Sequence, residues 1–349
     1  MAISDLDLFN AWNHVLRLCR LKSGEVVTIL TNADSHAQTL LTAAMAVQSV
    51  GAKLNRLDLP VLNGEKALSR DRFAYLGATP LEGNRAAMAA LKASDLVLDL
   101  MLLLFSPEQQ EILNAGTRIL LAVEPPEVLA RLIPTEQDRL AVLAAAAKLE
   151  RGKHLHITSA AGTDLSCPVG QYAVLKEYGF VDEPGRWDHW PSGFLATWPN
   201  EGQVRGTVVL DRGDILLPMK SFVRDPITLK IDKGFLTCIE GGLDADILRE
   251  YMESFDDPEA YAVSHVGWGL QKRAKWSVLE LYDREAAYGM DARAFAGNFL
   301  FSFGPNTEAG GSRNTACHID IPMRHCSVML DGETVVNRGR LAGQDEVAR

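Results

Sequence analysis

The sequence has no apolar run long enough to cross a bilayer. Its longest, from Leu96 to Phe105, is interrupted by Asp99 and falls well short of the roughly 20 apolar residues that a transmembrane helix needs. The N-terminus, from Met1 to Asp5, also lacks the basic start and the apolar stretch of a secretory signal. Both absences predict a cytoplasmic protein that does not enter a membrane.

Cysteine is scarce and shows no pairing pattern. The chain has five cysteines, which is an odd number, and none of them form a CxxC spacing: Cys19, Cys167, Cys238, Cys317 and Cys326. This usage predicts reduced thiols, as in a cytoplasm, and argues against a disulfide framework or a zinc knuckle.

Basic residues are also in deficit. Lysine and arginine together number 35, against 45 aspartates and glutamates, and the net charge is −10 without any basic block. A nucleic acid or an anionic membrane surface would be repelled by such a chain, so we expect neither as a partner.

Several familiar catalytic motifs are missing. The sequence contains no GxGxxG following a strand, no P-loop, no HExxH and no GxSxG elbow. The first expected strand, Glu25 to Leu30, runs into Thr31-Asn32-Ala33-Asp34, not into glycines. The N-terminal part is therefore not expected to bind a nucleotide.

The composition is that of an ordinary globular protein, and its 349 residues suggest two domains. Residues 1–152 alternate strand-like and helix-like segments, which predicts an α/β domain with an open, mostly parallel sheet. We expect its most apolar strand from Asp95 to Phe105, a surface loop over 63–80, and a helix from Pro125 to Arg151 that breaks at Pro134.

The pattern changes in residues 153–349. Short strands joined by tight turns, such as Asp232-Lys233-Gly234, predict a β-rich α+β domain with one clear helix from Leu243 to Phe255. This second domain is the one expected to carry the metal. The final residues, from Gly343 to Arg349, are expected to form a loose tail.

One glycine-rich loop and the apolar strand after it, from Gly310 to Met323, hold the strongest candidate for chemistry. Side chains two apart on a strand share a face, so His318 and Asp320 point the same way while Ile319 and Ile321 point to the core. A hydrogen-bonded His–Asp pair is the simpler interpretation of two such residues. A further histidine, His265, favours a metal site.

Blocks of the second half resemble the aminopeptidase T type metallopeptidases in order and spacing. They are Gly162-Thr163-Asp164-Leu165, the stretch from Trp190 to Pro199, the stretch from Gly206 to Asp211, Gly304-Pro305-Asn306, His318-Ile319-Asp320 and Asp331-Gly332. In those peptidases two glutamates, two histidines, a tyrosine and an aspartate hold two metals.

The sequence departs from that ligand set. Phe194 stands where the first glutamate is expected and His265 where the second is, while a histidine is missing near Asn298 and no tyrosine follows Gly304. Only His318 and Asp320 match directly. A dinuclear hydrolase site cannot be assembled from these residues. What remains is two imidazoles and one carboxylate, the facial triad typical of mononuclear Fe(II) oxygenases.

Along its whole length the chain is similar to one family within this superfamily, the dioxygenases that open the ring of 2,5-dihydroxypyridine. The resemblance implies Fe(II) held by His265, His318 and Asp320, and O₂ and 2,5-dihydroxypyridine as substrates. It also implies N-formylmaleamate as the product, in the breakdown of nicotinate and nicotine. Two alternatives stay open: a mononuclear zinc hydrolase, because the same ligands suit Zn²⁺, and a metal-free binding protein.

Two polar residues near these blocks are candidates for acid–base work. His189 lies between two tryptophans and is either a packed, satisfied histidine or the base that takes a proton from the ring 5-hydroxyl, for which an ordinary pKa of about 6.5 is suitable. Glu177 is either a solvated carboxylate or a group that orients His189 or contacts the ring.

Three further residues are candidates for substrate contact. Ser302 is the one polar residue of an aromatic strand, and it serves either as small packing or as a hydrogen-bond donor. Arg293 could recognise an anion, although exposed arginines are common. Phe105 ends the most apolar strand, where ligands of open α/β sheets collect. It either forms a wall for an aromatic ring or marks a variant in which a functional group has been removed.

Assembly is the last expectation. Because relatives in the family are oligomeric, the resemblance implies a homo-oligomer in which the N-terminal domain of one subunit closes the metal site of another.

Overall fold

The computed structural model describes residues 3–61, 79–104 and 106–343. Helices and strands alternate in its first part: α1 (Asp5–Leu18), β1 (Val26–Thr31), α2 (Ala37–Ser49), β2 (Lys53–Asp58), α3 (Arg85–Lys92), β3 (Leu96–Asp99), α4 (Pro107–Asn114), β4 (Arg118–Leu121), α5 (Pro126–Arg131) and α6 (Glu136–Leu149). Phe105, most of the loop expected over 63–80 and most of the tail expected from Gly343 to Arg349 lie outside the described residues.

The expected break at Pro134 is confirmed, because α5 and α6 are separate helices. Thr135 caps α6 through its side chain, which accepts a hydrogen bond from the Asp138 backbone N–H, and the Asp138 carboxylate accepts in return from Thr135. This reciprocal capping box satisfies donors that a helix start would otherwise leave unpaired.

The strand expected from Asp95 to Phe105 is wrong in its length. β3 ends at Asp99, whose buried carboxylate accepts hydrogen bonds from the backbone N–H groups of Met101 (2.9 Å) and Leu103 (2.6 Å). Those bonds turn the chain, and Leu102 takes a left-handed φ of 69°. An aspartate that competes for backbone donors ended the strand within a run that is otherwise apolar.

The remaining elements are mostly short strands. They are β5 (His154–Thr158), β6 (Asp164–Pro168), β7 (Leu175–Glu177), β8 (Trp187–His189), β9 (Phe194–Thr197), β10 (Arg205–Leu210), β11 (Ile215–Leu216), β12 (Ser221–Phe222), β13 (Ile227–Asp232), β14 (Phe235–Gly241), α7 (Leu243–Glu253), β15 (Val263–Gly269), α8 (Val278–Leu281), α9 (Met290–Ala294), β16 (Phe299–Phe303), β17 (Ile319–Met323), β18 (Ser327–Leu330), β19 (Glu333–Asn337) and β20 (Arg340–Leu341). The helix expected over Leu243 to Phe255 is present as α7.

The first sheet is parallel and has the strand order β2-β1-β3-β4-β8. Its fifth strand comes from the second half of the chain, since Trp187–His189 pairs with β4 in the register Leu121↔His189. An open parallel sheet was expected, but the shared strand was not. The polypeptide between β4 and β8 contains two helices and three strands of other layers.

Two antiparallel sheets make up most of the rest. One has eight strands in the order β14-β13-β10-β6-β5-β18-β19-β20, and the other has five in the order β17-β16-β15-β9-β7. Apolar side chains from both sheets form one buried core, to which Phe301 and Ile321 contribute from the five-stranded sheet. None of the described helices combines the length and the apolar character needed to span a bilayer.

Candidate metal centre and active site

The candidate centre lies on the five-stranded sheet. Ile319 and Ile321 are fully buried in the core, as the alternation of β17 predicted, and this places His318 and Asp320 on the opposite face. Cys317 is also buried in that core. The phenylalanine-rich strand β16 pairs with β17 in the register Ser302↔Asp320, so a packed layer holds both candidate ligands in place.

A β-bulge positions the third residue, His265. Between Val263↔Phe303 and Val266↔Phe301 the strand β15 contains one residue more than β16, so the pairing shifts at His265. The Ser302 hydroxyl stabilises the bulge, because it accepts from the His265 backbone N–H and donates to the His265 carbonyl, both at 2.8 Å. Bulges of this kind redirect a side chain, here toward β17.

Three ligand atoms converge at this point. The Nε2 atoms of His265 and His318 are 3.2 Å apart, and the Oδ1 atom of Asp320 lies 3.2 Å from the first and 3.3 Å from the second. Ligands about 2.1 Å from a shared cation and at right angles to one another would be about 3.0 Å apart. Among the described residues this is the one group of at least three histidine, cysteine or acidic side chains close enough to hold a metal ion.

The protonation states also suit a cation. Burial lowers the pKa of His318 to about 4, although Asp320 opposes that shift. Burial disfavours the charge of Asp320, but His318, Arg293 and His265 outweigh it and hold the pKa of this carboxyl well below its usual range. A neutral imidazole beside a carboxylate is the state that metal binding requires.

Arg293 fixes the second oxygen of the carboxylate. Its Nε donates to Asp320 Oδ2 at 2.5 Å, and its Nη1 donates to the Tyr288 carbonyl at 2.9 Å. The two oxygens are therefore divided, with Oδ1 toward the imidazoles and Oδ2 toward the guanidinium. The sequence predicted that Arg293 contacts the substrate by recognising an anion. The structure shows Arg293 bonded to Asp320, a candidate metal ligand. A contact between Arg293 and the substrate stays a prediction.

A small cavity, partly open to solvent, lies over the three ligand atoms. Its wall is mostly apolar, and it is lined by Leu104, Leu175, Trp187, His189, Phe194, His265, Met290, Arg293, Glu308, His318 and Asp320. Such apolar clefts with a few convergent polar groups are typical of sites for small organic ligands. Leu104 comes from the N-terminal part of the same chain.

His189 lies in this cavity wall, at the end of β8, and is 3% exposed. Its Nδ1 is 2.6 Å from the Pro191 carbonyl oxygen. A carbonyl can only accept, so Nδ1 carries the hydrogen and Nε2 keeps its lone pair. Burial lowers the pKa of His189 to about 4, which corrects the ordinary value expected from the sequence and leaves the imidazole neutral at pH 7.

Glu177 does not line the cavity. It is fully buried at the end of β7, and burial together with the neighbouring Asp188 raises the pKa of its carboxyl well above the usual range. The neighbouring carboxylate of Asp188, in contrast, accepts several hydrogen bonds. Its donors are the backbone N–H groups of Tyr178, Gly179 and His189 and the guanidinium of Arg186. The solvated carboxylate considered for Glu177 is excluded by its burial, and a catalytic role stays a prediction.

Ser302 and Phe105 complete the predicted residues. The Ser302 hydroxyl is engaged on the backbone of His265 and the residue does not line the cavity, so a substrate contact stays a prediction without geometric support. Phe105 lies outside the described residues.

Several residues that the structure brings to the site were not predicted from the sequence. Leu104, Leu175, Trp187 and Met290 belong to four different segments, and each is an ordinary apolar residue in the sequence. Glu308 sits in a short 3-10 turn, Thr307–Ala309, just after the Gly304-Pro305-Asn306 block. The proximity of Glu308 to that block was the one available signal.

The fold has counterparts among known proteins. A wild-type AmpT from Thermus thermophilus superposes with a TM-score of 0.65 at 17% identity, covering 96% of this chain and 99% of that one, so the two share a fold. The family model described as NicX, 2,5-dihydroxypyridine 5,6-dioxygenase, matches residues 7–343.

The resemblance to one relative is much stronger. A 2,5-dihydroxypyridine 5,6-dioxygenase of Pseudomonas putida KT2440 is 53% identical over 346 residues, which cover 99% of either chain. A structure of the 2,5-dihydroxypyridine dioxygenase from that organism superposes with a TM-score of 0.96, covering 98% of this chain and 99% of that one. The protein is thus an enzyme of the oxygenase class. It belongs to the 2,5-dihydroxypyridine 5,6-dioxygenase family.

Proposed function

We propose that this protein is a mononuclear Fe(II) dioxygenase that opens the ring of 2,5-dihydroxypyridine with O₂ to give N-formylmaleamate. The observation that carries the proposal is the face formed by two imidazole nitrogens and one carboxylate oxygen, with sides of 3.2–3.3 Å, beneath an apolar cavity. The proposed substrate follows from family membership and from the name of the 53% identical dioxygenase.

His265, His318 and Asp320 would hold the iron through Nε2, Nε2 and Oδ1. A bound Fe(II) would supply open positions where substrate and O₂ meet, and electrons for the reaction between them. The carboxylate would bind through one oxygen, because Arg293 occupies the other. Groups that orient a ligand in this way are typically worth 10- to 100-fold in metal affinity or activity.

The cavity wall would hold the ring and exclude water. The ring centroids of Trp187 and Phe194 lie 5.7 Å and 5.5 Å from that of His189. An aromatic substrate would therefore be surrounded largely by aromatic rings. Offset and edge-to-face contacts of such rings add to the energy of burial itself.

His189 would take the proton of the ring 5-hydroxyl. Its Nε2 lone pair is fixed by the bond from Nδ1 to Pro191, and the imidazole is neutral across the physiological range. Because its pKa is lowered, His189 is a weak proton acceptor at equilibrium. Its role is therefore to hold the proton of the 5-hydroxyl while the 5-oxygen binds another group. A positioned base of this kind typically contributes about 10²–10⁴ in rate.

Metal analysis combined with oxygen uptake tests the proposal. Protein purified without oxygen should contain one iron per chain and should consume O₂ when 2,5-dihydroxypyridine is added. His265→Ala should lose both properties, whereas His156→Ala, which changes a histidine outside the cavity, should keep both. A mononuclear zinc hydrolase would hold zinc and consume no O₂, and a metal-free binding protein would hold no metal. Full iron content and full activity in His265→Ala would refute the triad.

A further inference from the structure

Glu124 is a fully buried acidic residue that the proposed reaction leaves unused. It lies just after β4 of the parallel sheet. Its Oε2 accepts a hydrogen bond from the Tyr288 backbone N–H at 3.0 Å, and its Oε1 accepts one from the Met290 backbone N–H at 2.6 Å. Burial raises the pKa of Glu124, whereas these two N–H groups, Arg293 and Lys220 oppose that rise. Both oxygens are thus engaged on one short segment of the chain.

A glycine makes this double contact possible. Gly289 stands between the two donors with a left-handed φ of 83°, which other residues rarely adopt. Backbone N–H groups on either side of such a turn can converge on a single anion. The side chains of Tyr288 and Met290 also pack with Leu121 and Val123 at the end of β4. The segment 288–290 is therefore held against the parallel sheet through its backbone and through its side chains.

The same segment also holds Arg293. The Nη1 of Arg293 donates to the Tyr288 carbonyl at 2.9 Å, and its Nε donates to Asp320 Oδ2 at 2.5 Å. Tyr288 therefore contacts Glu124 through its N–H and Arg293 through its carbonyl. A continuous series of hydrogen bonds joins Glu124 to Asp320, a candidate metal ligand. A shift of the segment would move the guanidinium, and with it the carboxylate.

We propose that Glu124 is a positioning residue for the metal centre, which holds the segment 288–290 so that Arg293 keeps Asp320 Oδ1 turned toward the imidazoles. The inference rests on the function proposed above. Groups bonded directly to a metal ligand are typically worth 10- to 100-fold in metal affinity or activity. Because Glu124 lies further along the series, we expect a smaller effect of roughly 2- to 10-fold, equivalent to about one hydrogen bond.

Glu124→Gln tests the proposal at nearly constant side-chain shape. A glutamine amide has one accepting oxygen and one donating NH₂ group, so one of the two backbone N–H groups loses its acceptor. The probe is Co(II), titrated into chelator-treated protein in competition with a chelator, because this affinity does not depend on turnover. Glu124→Gln should bind Co(II) roughly 2- to 10-fold more weakly than the wild type.

Asp244→Asn is the matched control. Asp244 is also buried and also accepts from two backbone N–H groups, those of Arg224 and Asp225, but it lies on α7 and does not line the cavity. This exchange should lower the free energy of unfolding and leave Co(II) affinity unchanged. Equal weakening of Co(II) binding in Asp244→Asn and Glu124→Gln would overturn the proposal. Glu124→Asp, which withdraws the carboxylate by one methylene, replaces Glu124→Gln if that variant does not fold, with the same expectation.

The decisive comparison uses an Arg293→Met background. If Glu124 acts through Arg293, Glu124→Gln should have little further effect on Co(II) affinity there. Equal weakening in both backgrounds, or wild-type affinity in Glu124→Gln alone, would overturn the proposal. A protein that binds Co(II) with this dependence on Glu124, but whose iron-loaded form consumes no O₂ with 2,5-dihydroxypyridine, would uphold the inference and refute the proposed reaction.

Discussion

Replacing His189 by phenylalanine tests whether the buried imidazole is neutral, and the effect has a calculable size. Burial lowers the pKa of His189 to about 4 in the folded protein, against about 6.5 in an unfolded chain. As the pH falls below 6.5 the unfolded state therefore takes up a proton that the folded state refuses, and the folded state loses stability until the pH reaches about 4. At pH 5 this penalty is about 2 kcal/mol, and at pH 7 it is only about 0.2 kcal/mol.

His189→Phe removes the penalty. The variant also changes packing and the hydrogen bond to Pro191, but those effects are similar at both pH values and cancel in a difference. The free energy of unfolding, measured by urea titration of chelator-treated protein at pH 7 and pH 5, should therefore fall by about 2 kcal/mol less in the variant than in the wild type.

His156→Phe is the control, because the His156 side chain is 39% exposed and lies outside the cavity. If His189→Phe and the wild type lose equal stability between pH 7 and pH 5, the imidazole is not held neutral, and the free lone pair assigned to its Nε2 loses its support.

Further expectations concern the ligand set, the cavity and assembly. Arg293→Met should weaken iron binding by roughly 10- to 100-fold in competition with a chelator, and unchanged affinity would show that Arg293 does not orient Asp320. Ser302→Ala should lower the free energy of unfolding by about 1–3 kcal/mol, because the bulge at His265 loses both of its hydrogen bonds to the hydroxyl; no loss would contradict this. Phe194→Ala should raise KM for the ring by roughly 10-fold or more at constant iron content, and an unchanged KM would remove Phe194 from the binding wall. Light scattering should give a mass above that of one chain, and a fully active monomer would exclude the homo-oligomer.

The candidate metal centre could be predicted because its geometry depends on local rules. The alternation of β17 is enough to place His318 and Asp320 on one face. His265 needed the resemblance to a known family, since nothing in the local sequence indicates that a bulge on β15 brings it to the same point. The bulge is stabilised by Ser302 on a neighbouring strand, and such pairing is not visible in one stretch of sequence.

The cavity could not be predicted, because its wall is assembled from distant segments. Leu104, Leu175 and Met290 are unremarkable apolar residues until the fold brings them together. Glu308 lies in a turn with no periodic pattern, and only the fold brings it to the cavity wall. The end of β3 was missed for a different reason, because the hydrogen bonds of Asp99 to backbone N–H groups outweighed the apolar run around it.

The strand β8 has a consequence for how the two halves of the chain depend on each other. It closes the parallel sheet next to β4, and at the same time it carries Trp187 and His189 into the wall above the candidate metal centre. A fragment ending near residue 152 would leave the edge of β4 without its partner and with unpaired backbone groups. The two halves are therefore not separable modules. Deleting one half, or exchanging it for another domain, would remove both an edge strand of the parallel sheet and part of the cavity wall.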